Sequence, residues 1–194
     1  MQNEIEYSKY DDQWTFEEDY YVLKHQLKDG SGKYFVNLML NTCKLYCPVE
    51  GNKGVTEECA RYGVESGGAE VKKHYEWIEN QLKALSSDPS VAWIAVSLHH
   101  PVFTNVQLKN YLLPILRRYK VDMIFNGHEH WAEYSNMATN YQIRYPDSSY
   151  GQVLVDCKNE EELLLKPDRE QTFRKGEHIH KFLIGNGGAF LRKI

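Results

Sequence analysis

Long apolar runs are missing from this 194-residue sequence, so no segment can span a bilayer and no membrane partner is expected. An excess of positive charge is missing too. Lys and Arg number 23 against 27 Asp and Glu, giving a net charge of −4. That balance argues against nucleic acid as a partner, because phosphates favour a basic face. The N-terminus, MQNEIEYSKYDD, has no apolar signal core, so the chain itself gives no sign of secretion. The four cysteines, Cys43, Cys47, Cys59 and Cys157, form no Cys-x-x-Cys knuckle, which argues against a cysteine-bound zinc. A disulfide from the loop at Cys59 to Cys43 or Cys47 and a set of partly buried free thiols both remain open. Internal repeats and low-complexity tracts are absent.

What is present suits one domain with a sizeable core, helped by fourteen Tyr and four Trp. Residues 1–19 are polar and acidic and read as loop, with Trp14 and Phe16 as anchors. Residues 20–27 and 34–40 read as strands. Asp29-Gly30-Ser31-Gly32 between them predicts a hairpin turn. Residues 47–69 read as a long surface excursion.

Val71, Tyr75, Ile78, Leu82 and Leu85 repeat at helical spacing and predict a helix over 69–85. His74 falls on its polar side and is expected in solvent. Residues 91–98 predict a buried strand, 107–119 a helix interrupted or opened by Pro114, and 121–125 a second buried strand. This order predicts parallel strands joined by a right-handed crossover. A strand pair at 134–135 and 141–145, a charged loop over 146–176 with a short helix near 160–165, and a last strand at 178–184 complete the expectation.

Both buried strands run into histidine: Leu98-His99-His100-Pro101 and Gly127-His128-Glu129-His130. Strand ends are where parallel sheets place ligand sites. Gly127 is expected to allow a sharp turn beside His128. Imidazoles suit zinc, iron and similar metals. Two adjacent divalent ions, however, need bridging anions to offset their repulsion. Asp122, placed within a strand, and Asp156 are poor candidates for that role. The bland alternative, ordinary hydrogen-bonded histidines at strand ends, fits a single residue better than a group. His25 reads as a surface residue. His178 and His180, two apart, read as strand flanks more readily than as a ligand pair. Glu160–Glu162 reads as a solvated face and Trp131 as a packing wedge.

These blocks resemble those of the calcineurin-like metallophosphoesterases, and within them the purple acid phosphatases of the tartrate-resistant type. Residues 127–130 resemble the family's Gly-His-x-His block. Residues 98–101 resemble its Gly-His-x-Pro block, with Leu98 for the usual Gly. Leu38 to Thr42 resembles a Leu-Asp-Thr strand, with Asn41 for Asp. Residues 6–19 resemble a segment that carries Arg-Trp, and 183–188 the closing Gly-rich region. The similarity covers nearly the whole chain in the family's order.

The resemblance implies an α/β fold, the C-terminal half of a four-layer α/β/β/α metallophosphoesterase sandwich, with residues 1–194 a partial domain. It implies that His99 and His128 bind the more exchangeable metal and that His130 binds the other. His100 and Glu129 would stand beside the metals, and Asn186 would shape the rim. The complete family domain holds a dinuclear centre, Fe with Fe, Zn or Mn, and hydrolyses phosphate monoesters.

The family's Asp-x-His, Gly-Asp-x-x-Tyr and Gly-Asn-His-Asp blocks have no counterpart here. Neither has the tartrate-resistant type's further histidine, since Asn105 to Leu108 occupy its region. The expectation is therefore at most one weakly bound metal in this chain alone. A partner chain or a missing N-terminal segment would complete the sheet. A non-catalytic structural or interaction subunit is the alternative, and a small self-sufficient metal-binding module ranks after both. Family members of this type are often secreted or lysosomal, and this chain leaves its compartment unknown.

Overall fold

The computed structural model describes residues 2–7, 9–10, 15–47, 57–64, 68–103, 105–129, 132–138 and 174–184. Its strands are β1 (Tyr21–Gln26), β2 (Tyr34–Met39), β3 (Val91–Leu98), β4 (Met123–Asn126), β5 (Ala132–Ala138) and β6 (His178–Ile184). They form one sheet in the order β1-β2-β3-β4-β6-β5. The four central strands are parallel, and β1 and β5 pair antiparallel at the two edges. Helices α1 (Gln2–Tyr7), α2 (Thr42–Leu45), α3 (Glu57–Arg61), α4 (Ala69–Ser87) and α5 (Leu113–Arg118) complete the described elements. A π-helical turn, Leu108–Leu112, leads into α5.

Local chemistry explains several of these elements. The β1–β2 hairpin closes where Asp29 Oδ1 accepts from the Ser31 amide and hydroxyl, with Gly30 and Gly32 in left-handed backbone. Pro114 sits in the first turn of α5, where its missing amide costs little. The π turn precedes it, so the helix is both interrupted and reopened at Pro114.

One face of the sheet is closed. Val36, Leu38, Ile94, Val96, Leu98, Ile124, Ile179 and Leu183 alternate onto that face and are buried. All of these but Leu183 pack with Val71, Ile78 and Leu82 of α4 and with Leu108, Leu112, Leu113 and Leu116 in one core. Each such side chain contributes roughly 1.5–3 kcal/mol by leaving water. The other face carries Met39, Met123, Phe125 and Phe182 half-buried, and Trp93 at 37% exposure. Phe125 and Phe182 stack there, ring centroids 5.3 Å apart. No described helix or strand covers this face.

The α/β class and the parallel order across 91–125 hold, and four details differ. Residues 2–7 are helix rather than loop. The 47–69 excursion is anchored rather than superficial: Cys47, Cys59 and Val64 are buried, and Cys47 and Cys59 form a disulfide. This is one of the two pairings left open, and Cys43 stands outside it; Cys157 lies outside the described residues. The strand expected at 134–135 is longer, spanning 132–138, and pairs with β6. Residues 141–145 and the charged stretch to 173, including the helix near 160–165 and the acidic run Glu160–Glu162, lie outside the described residues, as does Trp14.

His74 is the fourth difference. It is fully buried, stacked on Tyr20 with ring centroids 3.8 Å apart. Neither ring nitrogen meets a hydrogen-bond partner among the described residues. The helical wheel put it on the polar side, but Tyr20 of the chain entering β1 covers that side. Burial pushes its pKa down to about 3, with the Asp19 charge pulling weakly the other way. The unfolded chain therefore takes up this proton first. Its contribution is complete above the ordinary value of 6.5 and is lost as pH falls towards 3. Urea midpoints measured from pH 7 to pH 4 should fall more steeply for wild type than for His74→Phe. Parallel curves would show that His74 takes no part in acid destabilisation.

Candidate metal centre

Strands β3 and β4 are parallel with Leu98 opposite Asn126, so His99 and the Gly127–His128 pair leave the sheet side by side. The Gly127 amide donates to the His99 carbonyl at 3.0 Å and ties the two exits together. Two residues on, the Glu129 amide donates back to the Gly127 carbonyl at 2.9 Å. That bond closes a three-residue turn around His128, whose φ is +70°. Such a γ-turn is a strained arrangement for a residue with a Cβ. The strain thus falls on His128 and not on Gly127. A Cβ at Gly127 would meet only the Ile184 carbonyl, at 3.9 Å.

The turn aims His128 Nδ1 at His99 Nε2, 3.1 Å away. His100 joins them, and ligand-capable nitrogens of all three rings lie within 4.8 Å of one another. From below, Thr42 at the start of α2 grips this loop. Its hydroxyl oxygen accepts from the His99 amide at 3.2 Å and the His100 amide at 3.0 Å, and it lies 3.0 Å from His100 Nδ1. Thr42 is buried, and nothing in its spacing from the histidines marks it in the sequence. Asn41, just before it, caps α2 by accepting from the Cys43 amide.

Burial lowers the pKa of His99, and the His128 charge lowers it further. Burial, then the charges of His99 and His128, push His100 down to about 4. Both rings are therefore neutral at neutral pH, the form in which imidazole binds a metal.

The donor set fits one ion. Two bonds of about 2.0–2.1 Å from a single ion span a 3.1 Å nitrogen gap at an angle slightly above a right angle. Among the described residues, no carboxylate joins the three rings within ligand range of one another. His130, Trp131, Asn186 and the glycines around it lie outside the described residues.

Two carboxylates need placing. Asp122 is buried at the other end of β4, where its Oδ2 accepts from the Ile94 amide at 2.8 Å and burial raises its pKa. It precedes the strand rather than lying in it. Asp19 is the residue sequence reading overlooks. It lines a cavity of about 430 Å³ with Asn41, Thr42, His99 and Asn126, and it pairs with Lys44. Eighty positions separate it from His99, and the resemblance over 6–19 assigns it no role. His178 and His180 lie apart from this centre, rings 6.4 Å from each other, in a smaller cavity of about 270 Å³ with Asp122 and Lys175. His25 is exposed on β1, as its place in the sequence suggests.

Replacing His128 by Gly should separate fold from site. Glycine accepts a φ of +70° without a Cβ clash, so the variant should gain about 1 kcal/mol, or about 2–4 °C in Tm, while losing the imidazole pair. A melting temperature equal to or below wild type would contradict strain at this turn.

Comparison with known proteins places this geometry in context. The sequence model of the calcineurin-like phosphoesterases matches residues 8–132, more than half of the chain. Purple acid phosphatase 15 of Arabidopsis thaliana is 29% identical over 103 residues, covering 48% of this chain and 19% of that protein. The purple acid phosphatase PPD1 from yellow lupin (Lupinus luteus) seeds superposes with a TM-score of 0.43 at 16% identity, covering 89% of this chain and 24% of that one. The chain thus spans about a fifth to a quarter of the length of these relatives. On the family match over residues 8–132, the chain belongs to the calcineurin-like phosphoesterases.

Proposed function

We propose that this chain contributes the imidazole half of a metal-dependent phosphomonoester hydrolase site. Its carboxylate half would stand on a segment outside this sequence or on a separate chain. The observation that carries the reading is the pair His99 Nε2 and His128 Nδ1 at 3.1 Å, held in place at the cost of a strained turn. Backbone strain of this kind clusters at functional sites, and here it falls on one member of the convergent pair.

His99 and His128 would hold the ion, and its chemistry there would be to offset phosphate charge and lower the pKa of water. His130 remains the expected ligand of a second ion, with iron, zinc or manganese as the family's metals. The 430 Å³ cavity beside His99 has room for a small phosphate monoester. Asn41, Thr42 and Asn126 give its wall neutral hydrogen-bonding groups that can orient an ester without repelling it.

The open sheet face supports the missing half. Met39, Trp93, Met123, Phe125 and Phe182 present apolar surface on one side of a sheet whose other side is already packed. A second sheet laid against them would bury that surface and bring its own strand ends beside His99 and His128.

A second reading, a non-catalytic structural or interaction subunit, draws on Asn41. This residue caps α2 where the resembled strand carries Asp, so a carboxylate expected near the site is replaced by an amide with a structural task. Calorimetric zinc titration of the full chain separates the two readings. The hydrolase reading expects binding that weakens at least tenfold in His99→Ala and in His128→Ala. It also expects hydrolysis of a chromogenic phenyl phosphate barely above buffer until carboxylate ligands are supplied. A chain that takes up no zinc supports the interaction subunit instead. Rapid hydrolysis by this chain alone would contradict the half-site.

A further inference from the structure

The Thr42 hydroxyl has one proton to give and two lone pairs to receive. Both lone pairs are engaged, by the His99 amide at 3.2 Å and the His100 amide at 3.0 Å. The hydroxyl proton is then left for the third neighbour, His100 Nδ1, also at 3.0 Å. An Nδ1 that accepts cannot carry the ring's proton. In a neutral imidazole that proton must sit on Nε2.

From this count we infer that Thr42 locks His100 as an Nε2–H donor and so removes it from the set of metal ligands. In the favoured tautomer neither ring nitrogen offers a lone pair to a metal: Nδ1 accepts from the threonine and Nε2 bears hydrogen. His100 instead offers an N–H beside His99 and His128, suited to an anionic oxygen such as that of a phosphate ester. In this tautomer Nε2–H is the donor the ring presents to its surroundings. Thr42 is a positioning residue, acting through the ring it orients.

The geometry around the ring agrees. Thr42 is almost fully buried and opens α2, which fixes its hydroxyl beneath the His99–His100 loop. Tyr46, one turn along, flanks the His100 ring with centroids 5.3 Å apart and limits its rotation. His99 and His128 are oriented differently: their nitrogens face each other and can meet on one ion. Three clustered histidines therefore divide into two ligands and one donor. The inferred role of the donor rests on the hydrolase reading; the tautomer does not.

Histidine side-chain NMR on the metal-free full chain near neutral pH reads the tautomer directly. Wild type should show His100 with Nε2–H in roughly five- to tenfold excess over Nδ1–H, the effect of one hydrogen bond. Thr42→Ser should keep that excess and Thr42→Val should lose it. Predominant Nδ1–H in wild type would overturn the inference, whether or not the valine variant folds. Zinc titration gives the second readout. His100→Ala should change affinity by less than about threefold, against at least tenfold for His128→Ala. A tenfold loss in His100→Ala would make His100 a ligand after all. If wild type binds no zinc while His100 keeps its Nε2–H form, the hydrolase reading fails and the Thr42 lock stands.

Discussion

A single backbone hydrogen bond, from the Gly127 amide to the His99 carbonyl, holds together everything this site can do. It joins the exits of two parallel strands, and parallel strands are the arrangement that sends both exits to the same end of a sheet. With the exits tied, the γ-turn at His128 and the Thr42 grip on the His99–His100 loop act against a common frame. Without that bond the two histidine-bearing turns would be tied only through the β3–β4 ladder that ends at Leu98 and Asn126.

The charge requirement sets the limit of the site. Neutral imidazoles satisfy one cation tolerably and two adjacent cations poorly, because nothing between the ions cancels their repulsion. Among the described residues, His99, His100 and His128 bring no carboxylate with them. Asp19 reaches the same cavity but is engaged by Lys44, and Asp122 serves the backbone of β3. The same incompleteness appears in the packing. One face of the sheet has a closed aliphatic core, while the other presents Trp93, Phe125 and Phe182 partly to solvent. The proposed second layer bearing anionic ligands would supply the charge and cover these rings.

The sequence made the central sheet legible because its signals are local. Val91 to Leu98 is apolar apart from Ser97, and Val71, Ile78 and Leu82 repeat at helical spacing. The histidines ending two such runs could be placed at one end of the sheet before any coordinates. What stayed hidden depends on contacts between distant residues. His74 sits on the polar arc of its own helix, and only Tyr20, fifty-four positions away, makes it a buried ring. Thr42 is an ordinary helix-opening residue until the fold sets it under His99 and His100. The sequence suggests a sharp turn eased by Gly127. The structure puts the left-handed residue at His128 itself, the position after that glycine.

X-ray absorption at the zinc edge of the zinc-loaded chain tests the half-site account most directly. It predicts a shell of nitrogen and oxygen neighbours at about 2.0–2.2 Å with no heavy-atom neighbour. A metal–metal distance of about 3.5–4 Å, obtained with this polypeptide alone, would contradict it.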